Sequence, residues 1–273
     1  MPQVHPTAIV EDGAKLADDV IVDAFSYIGP QVTIGSGTRI GRNCQVINKV
    51  TLGKNNNLHF SVALGDLPQE HQFDNVNGEL IIGDNNVFRE FFNAHLPGKK
   101  PKTIIGNDGF FMANSHVAHD CEVGDNVIMV NYAGIAGHAV IGNGVLISGL
   151  AMVHQFCRVG DYAVIGGSSK LAGDLPPYFL SNGSPARVYG LNKVGLKRNG
   201  FSAAARKRLS EIFHILYNES LPIPKAIAQV NDKFASQDDE GDVNVVTKNL
   251  LSFLNEKGRP IARGSRSGSR EED

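Results

Sequence analysis

The residues of this chain best equipped for chemistry are imidazoles in three short segments. These are Ser115-His116-Val117-Ala118-His119-Asp120-Cys121, Gly137-His138 and Val153-His154-Gln155-Phe156. His119 and Gly137 are 18 residues apart, and that interval is one full turn of the coil derived below. An imidazole next to a glycine N–H suits acyl transfer: the ring takes a proton from an attacking hydroxyl while the N–H stabilises the tetrahedral oxyanion. Asp120, or a backbone carbonyl, would fix the tautomer of the ring. A surface or subunit-contact histidine in a noncatalytic scaffold is the alternative reading of His119. His116, His138 and His154 invite a zinc reading. However, His138 and His154 are offset by 16 residues, which is not a stacked position, and Asp120, Glu122 and Asp125 form no recognisable ligand spacing with them. Substrate contacts or a hydrogen-bonded structural role are therefore expected of this trio, with no metal and no other cofactor.

What must position these groups is a repeat of six. From Val4 through Val10, Leu16, Val22, Ile28, Ile34 and onward to Leu64, and again from Ile105 to Leu171, every sixth residue is apolar. Neither a helix nor simple strand alternation has that period. Short strands joined by tight turns, wound as a coil with one hexad per flat face, point one residue inward each time. Three hexads make a turn, so residues 18 apart in this sequence stack, about 4.8 Å from each other. A parallel β-helix follows, a β-solenoid of hexapeptide repeats. Cys44, Cys121 and Cys157 each lie four residues after an inward position and read as buried, unpaired thiols.

The pattern breaks twice, near 66–80 and near 95–103, where loops leave the rod carrying Glu70, Gln72 and His95. Loops on a stiff scaffold commonly hold binding residues, and neutral insertions are the equal alternative. The repeat ends at Pro176-Pro177. Ser202 then reads as the N-cap of a helix with the apolar face Leu209, Ile212, Phe213, Leu216 and Tyr217, and two more helices are expected near Lys225–Phe234 and Val243–Leu254. The expected organisation is a β-helix over 1–190, a helical domain over 191–257 and a disordered tail over 258–273.

A net charge of −2 gives no bulk attraction to nucleic acid or membrane, and no apolar run is long enough to span a bilayer. With the repeat beginning at Val4, no signal peptide is expected and the default location is the cytoplasm. One basic cluster, Arg187, Lys193, Lys197, Arg198, Arg206, Lys207 and Arg208, is uninterrupted by any acid and suits phosphates or an acidic protein partner.

His5-Pro6-Thr7-Ala8-Ile9-Val10, Ala118-His119-Asp120-Cys121, Ala136-Gly137-His138, Val153-His154-Gln155-Phe156-Cys157, Asp174-Leu175-Pro176-Pro177-Tyr178 and Gly195-Leu196-Lys197-Arg198-Asn199-Gly200-Phe201 closely resemble segments of the UDP-N-acetylglucosamine acyltransferases. The resemblance implies a left-handed β-helix, against the usual right-handed crossover, with active sites between the subunits of a homotrimer. It implies transfer of a (3R)-3-hydroxyacyl chain from acyl carrier protein to the 3-hydroxyl of a UDP-sugar, the first step of lipid A biosynthesis; some members use a 3-amino sugar. His119 then matches the general base and Gly137 the oxyanion donor. His116, His138, His154 and Gln155 match substrate positions, Asn192 and Arg198 lie near the nucleotide or carrier, and Gly167 limits acyl length. Gln69-Glu70-His71-Gln72 stands where the family often has Gln-Asp-Leu-Lys, and Ala94-His95-Leu96-Pro97 where it has Ile-His-Arg-Gly. A different hexapeptide acetyltransferase would need a coenzyme A site, and a metal-dependent trimeric hydratase would need zinc.

Overall fold

The computed structural model describes residues 1–73, 77–217, 219, 221–237 and 240–265. Strands of two to four residues wind into three faces, and the described strands form sheets of eleven, nine and eight. Pairing within each face of the coil is parallel, with the expected one-turn register: Gln3 lies beside Ile21, and His116 beside Gly134. The chain is a left-handed parallel β-helix followed by helices.

The inward hexad positions form the core, where Ile28, Ile40, Val46, Leu64, Val117 and Ile147 are fully buried. Val4 departs from this. It is 40% exposed, because the first coil has nothing stacked beneath it. Where two faces meet, one residue at most corners adopts a left-handed backbone; Asp120, His138 and Phe156 do so in successive coils, with φ of 61°, 64° and 64°. Asn and Asp tolerate that conformation best, and Asn43, Asn48, Asn55, Asn85 and Asn126 fill many of the other corners.

The regular coil ends at the strand Lys170–Leu171, after which Phe179–Gly183 pairs back on Val164–Ile165 and turns antiparallel into Ala186–Leu191. The boundary expected at 190 thus falls within a strand. Among the described residues four helices follow: α1 (Lys193–Arg198), α2 (Ala203–Tyr217), α3 (Ile223–Phe234) and α4 (Gly241–Asn255). Ser202 caps α2 as expected, its Oγ accepting the Ala205 N–H at 3.0 Å. α1 went unforeseen because its six residues, one of them buried, are too few to show an apolar stripe.

The tail expected to be disordered from Gly258 is ordered as far as Ser265. Ile261 bridges Asp174 and Gly264 bridges Val188, so the segment is held by backbone pairing that its polar composition does not reveal. Residues 266–273 lie outside the described residues.

Candidate active site

Both loops leave the rod at one corner, between the nine-stranded and eight-stranded faces. One connects Ala63–Asp66 to Glu79–Ile82, and the other connects Asn93–His95 to Lys102–Ile105. The next three turns at that corner carry His119-Asp120, Gly137-His138 and His154-Gln155-Phe156. Five consecutive coils therefore build one site, and the interruptions of the repeat are part of it.

His119 is the centre. Its Nδ1 lies 2.6 Å from Asp120 Oδ2, and since the carboxylate accepts, Nδ1 carries the proton and Nε2 is left with its lone pair. Asp120 is fully buried. Its oxygens also accept the backbone N–H groups of Gly98 at 3.0 Å, Lys99 at 3.0 Å and Lys100 at 2.5 Å, while its own N–H donates to Thr103 Oγ1 at 2.9 Å. Burial alone would raise the carboxyl's pKa; the His119 hydrogen bond and the three loop N–H groups outweigh it and hold Asp120 below the ordinary carboxylate value.

Gly137 stacks on His119 as the one-turn spacing requires. A β-carbon there would sit 2.6 Å from His119 Nε2, so the imidazole lies directly over the glycine and no larger residue fits without displacing it. Among the described residues no acceptor is bonded to the Gly137 N–H. A base nitrogen thus lies beside a glycine whose N–H has no acceptor among the described residues, the pair of groups that acyl transfer uses.

His138 donates its backbone N–H to His119 O at 3.1 Å, sets its Nε2 3.5 Å from Asp120 Oδ2 and stacks on Phe156 with ring centroids 4.6 Å apart. Burial lowers its pKa. His116 Nδ1 donates to Asn93 Oδ1 at 2.6 Å, and His95 Nδ1 donates to Leu67 O at 2.7 Å. Burial first, then the neighbouring His95 and His119, push His116 down to about 4, so it is neutral at pH 7. Glu70 reaches the same corner, with Oε1 2.9 Å from Lys99 Nζ and Oε2 3.8 Å from His119 Nδ1.

His116, His138 and His154 each turn to a different partner. His116 turns to Asn93, while His154 turns to the Gln155 carbonyl at 3.2 Å. The ligand atoms that do converge belong to Glu70, His119, Asp120 and His138, all within 4.8 Å of one another. Gln72 and Gln155 are exposed. Gly167 lies exposed at the far corner of the nine-stranded face, where a β-carbon would meet only Gly149 O at 3.4 Å. Asn192 is committed to structure, capping α1 by accepting the Gly195 N–H and donating to Tyr162 O. Arg198 is exposed and, with Lys193, Lys197, Arg206 and Lys207, lines a groove of 580 Å³. Arg187 and Arg208 leave that basic cluster, donating to Gly264 O and Thr247 Oγ1. Asn93 and the Gly98–Lys100 backbone were not foreseen; Phe156 stood in the third histidine segment, one turn beyond His138, with no role assigned.

Residues 174–262 match the model described as Udp N-acetylglucosamine O-acyltransferase, domain 2, and residues 13–48 match bacterial transferase hexapeptide repeats. A relative from Syntrophobacter fumaroxidans named acyl-(acyl-carrier-protein)--UDP-N-acetylglucosamine O-acyltransferase is 42% identical, covering 96% of this chain and 100% of its own length. One of the same name from Stenotrophomonas maltophilia is 39% identical over 96% of this chain and 98% of its own. The chain belongs to the UDP-N-acetylglucosamine O-acyltransferase family. The Francisella novicida UDP-N-acetylglucosamine acyltransferase superposes with a TM-score of 0.91 at 30% identity, covering 97% of this chain and 95% of that one. The Moraxella catarrhalis UDP-N-acetylglucosamine O-acyltransferase gives 0.89 at 32% identity, over 95% and 99%. The acyltransferase model's match through residue 262 agrees with the order of the tail and its pairing with Asp174.

Proposed function

We propose that this chain moves a (3R)-3-hydroxyacyl group from acyl carrier protein to the 3-hydroxyl of UDP-N-acetylglucosamine, as the first step of lipid A biosynthesis. The observation that carries this reading is His119 Nε2 lying over Gly137, with Nδ1 fixed by Asp120. Nε2 takes the sugar hydroxyl's proton as that oxygen attacks the thioester carbonyl, and the Gly137 N–H stabilises the oxyanion. Collapse breaks the carbon–sulfur bond, and the departing thiolate takes the proton back from the imidazolium. Asp120 stays ionised throughout, its low pKa favouring the charged ring.

Around this centre Glu70, Gln72, His95, His116, His138, His154 and Gln155 are the sugar and acyl contacts. Asn192 shapes the nearby turn. Arg198 and its basic neighbours meet the carrier's phosphate or an acidic carrier surface. Gly167, free of side-chain bulk, is the place where acyl length is limited. A homotrimer accounts for Phe25, Phe91, Tyr132 and Leu150, which occupy left-handed corner positions of the rod and are at least half exposed. No described helix is long and apolar enough to cross a membrane, and we assign the reaction to the cytoplasm.

The test is a transfer assay on the purified protein with hydroxyacyl carrier protein and either UDP-N-acetylglucosamine or its 3-amino analogue. An O-acylated sugar nucleotide, with carrier thiol released in equal amount, is expected. Turnover with acetyl-coenzyme A but not with the carrier would overturn the reading.

A further inference from the structure

One carboxylate oxygen at this corner has no hydrogen-bond partner within the described protein. Glu70 Oε2 is buried and lacks a hydrogen-bond partner, a costly state for a carboxylate oxygen. It faces His119 Nδ1 at 3.8 Å, and Asp120 Oδ2 lies 2.6 Å from that nitrogen and 3.5 Å from His138 Nε2. Two imidazole nitrogens and two carboxylate oxygens are the donor set of a borderline divalent ion such as zinc. Bonds of about 2.1 Å to a tetrahedral ion put its ligand atoms about 3.4 Å apart. The distances of 3.5 Å from His138 to Asp120 and 3.8 Å from His119 to Glu70 are near that value already. The His119–Asp120 hydrogen bond would have to open by somewhat less than about 1 Å to reach it.

We infer that Glu70, His119, Asp120 and His138 form an inhibitory site for zinc or a similar nitrogen-seeking divalent ion. The inference rests on His119 acting as the base. The ion takes the place of the Nδ1 proton: the Nδ1–H bond breaks, a metal–Nδ1 bond forms, and a proton returns through solvent to Nε2. No net proton is lost and nothing is oxidised. Nε2 becomes a donor, so the lone pair that receives the sugar's proton is gone. Asp120 and Glu70 neutralise the ion's two charges, and Lys99 can keep its contact with Oε1 on the outer side. Magnesium, which prefers an all-oxygen octahedron, lacks such a seat here.

The full-length protein titrated with Co²⁺ should bind one ion per chain, with the visible absorption of tetrahedral nitrogen–oxygen ligation. Saturating Zn²⁺ should lower transfer at least tenfold, a chelator should restore it, and Mg²⁺ should have no such effect. Glu70→Gln and His138→Ala should each weaken Co²⁺ binding about tenfold or more, with thermal melting showing which of them is folded. Absence of stoichiometric Co²⁺ binding to wild type, or binding indifferent to both changes, would overturn the inference while leaving carrier-dependent transfer intact. Binding that follows the variants but leaves full turnover in zinc would overturn His119 as the base.

Discussion

Asp120 decides what His119 can do. The loop gives it three backbone N–H groups and the imidazole a fourth donor, so the carboxylate must be present, ionised and motionless. In Asp120→Asn, one of the two oxygens becomes an NH₂ that faces donors, leaving N–H groups of residues 98–100 unpaired and His119 free to take the other tautomer. Turnover should fall by a hundredfold or more, on the order of general-base loss, and the melting temperature should drop; a variant within twofold of wild type would separate the pair from the chemistry. The same groups set a pH dependence. His116 titrates near 4 when folded, against an ordinary histidine value of about 6.5. Between those values the unfolded chain holds a proton that the folded chain refuses, so stability is fully present above the upper value and falls as pH drops toward the lower. Asp120, with its depressed value, adds a further loss at more acid pH. Melting temperature measured from pH 7 to 4 should decline through this window, and His116→Gln should flatten that part of the curve.

The corner is the element that makes a site out of a repeat. Most of it was legible, since one buried residue per hexad fixes the coil, and the coil's one-turn interval sets Gly137 against His119 and Phe156 against His138. The loops were not. Insertion makes the step from Asn93 to His116 23 residues rather than a single turn, and the groups that the Gly98–Lys100 segment supplies are backbone amides, invisible in side-chain letters. The helical end hangs on Arg158, which meets buried Asp174 at 2.8 Å, Glu256 at 3.0 Å and the Phe253 carbonyl at 3.1 Å, and lies over the Phe253 ring. Arg158→Ala leaves Asp174 buried without its cation and should cost about 3–5 kcal/mol. Thermal melting should show the loss, and an unchanged melting temperature would mean that α4 is held by its apolar face alone.

Across the whole molecule, the proposed trimer would cover the exposed Phe25, Phe91, Tyr132 and Leu150 with neighbouring copies. Sedimentation equilibrium should give three chains per particle. Leu150→Glu, placing a charge in that apolar contact, should yield monomers with little transfer activity, whereas an active monomer would remove the need for a shared cleft. The ordered tail could not be read from composition, because Gly258–Ser265 is kept in place by pairing with Asp174 and Val188 rather than by apolar burial alone. The most direct measurement compares wild type with His119→Ala for hydroxyacyl transfer from carrier protein to UDP-N-acetylglucosamine, both proteins first checked by circular dichroism. Wild type should turn over while the folded variant is slower by about 10² to 10⁴. Near-normal turnover in a folded His119→Ala protein would contradict the assignment of the base.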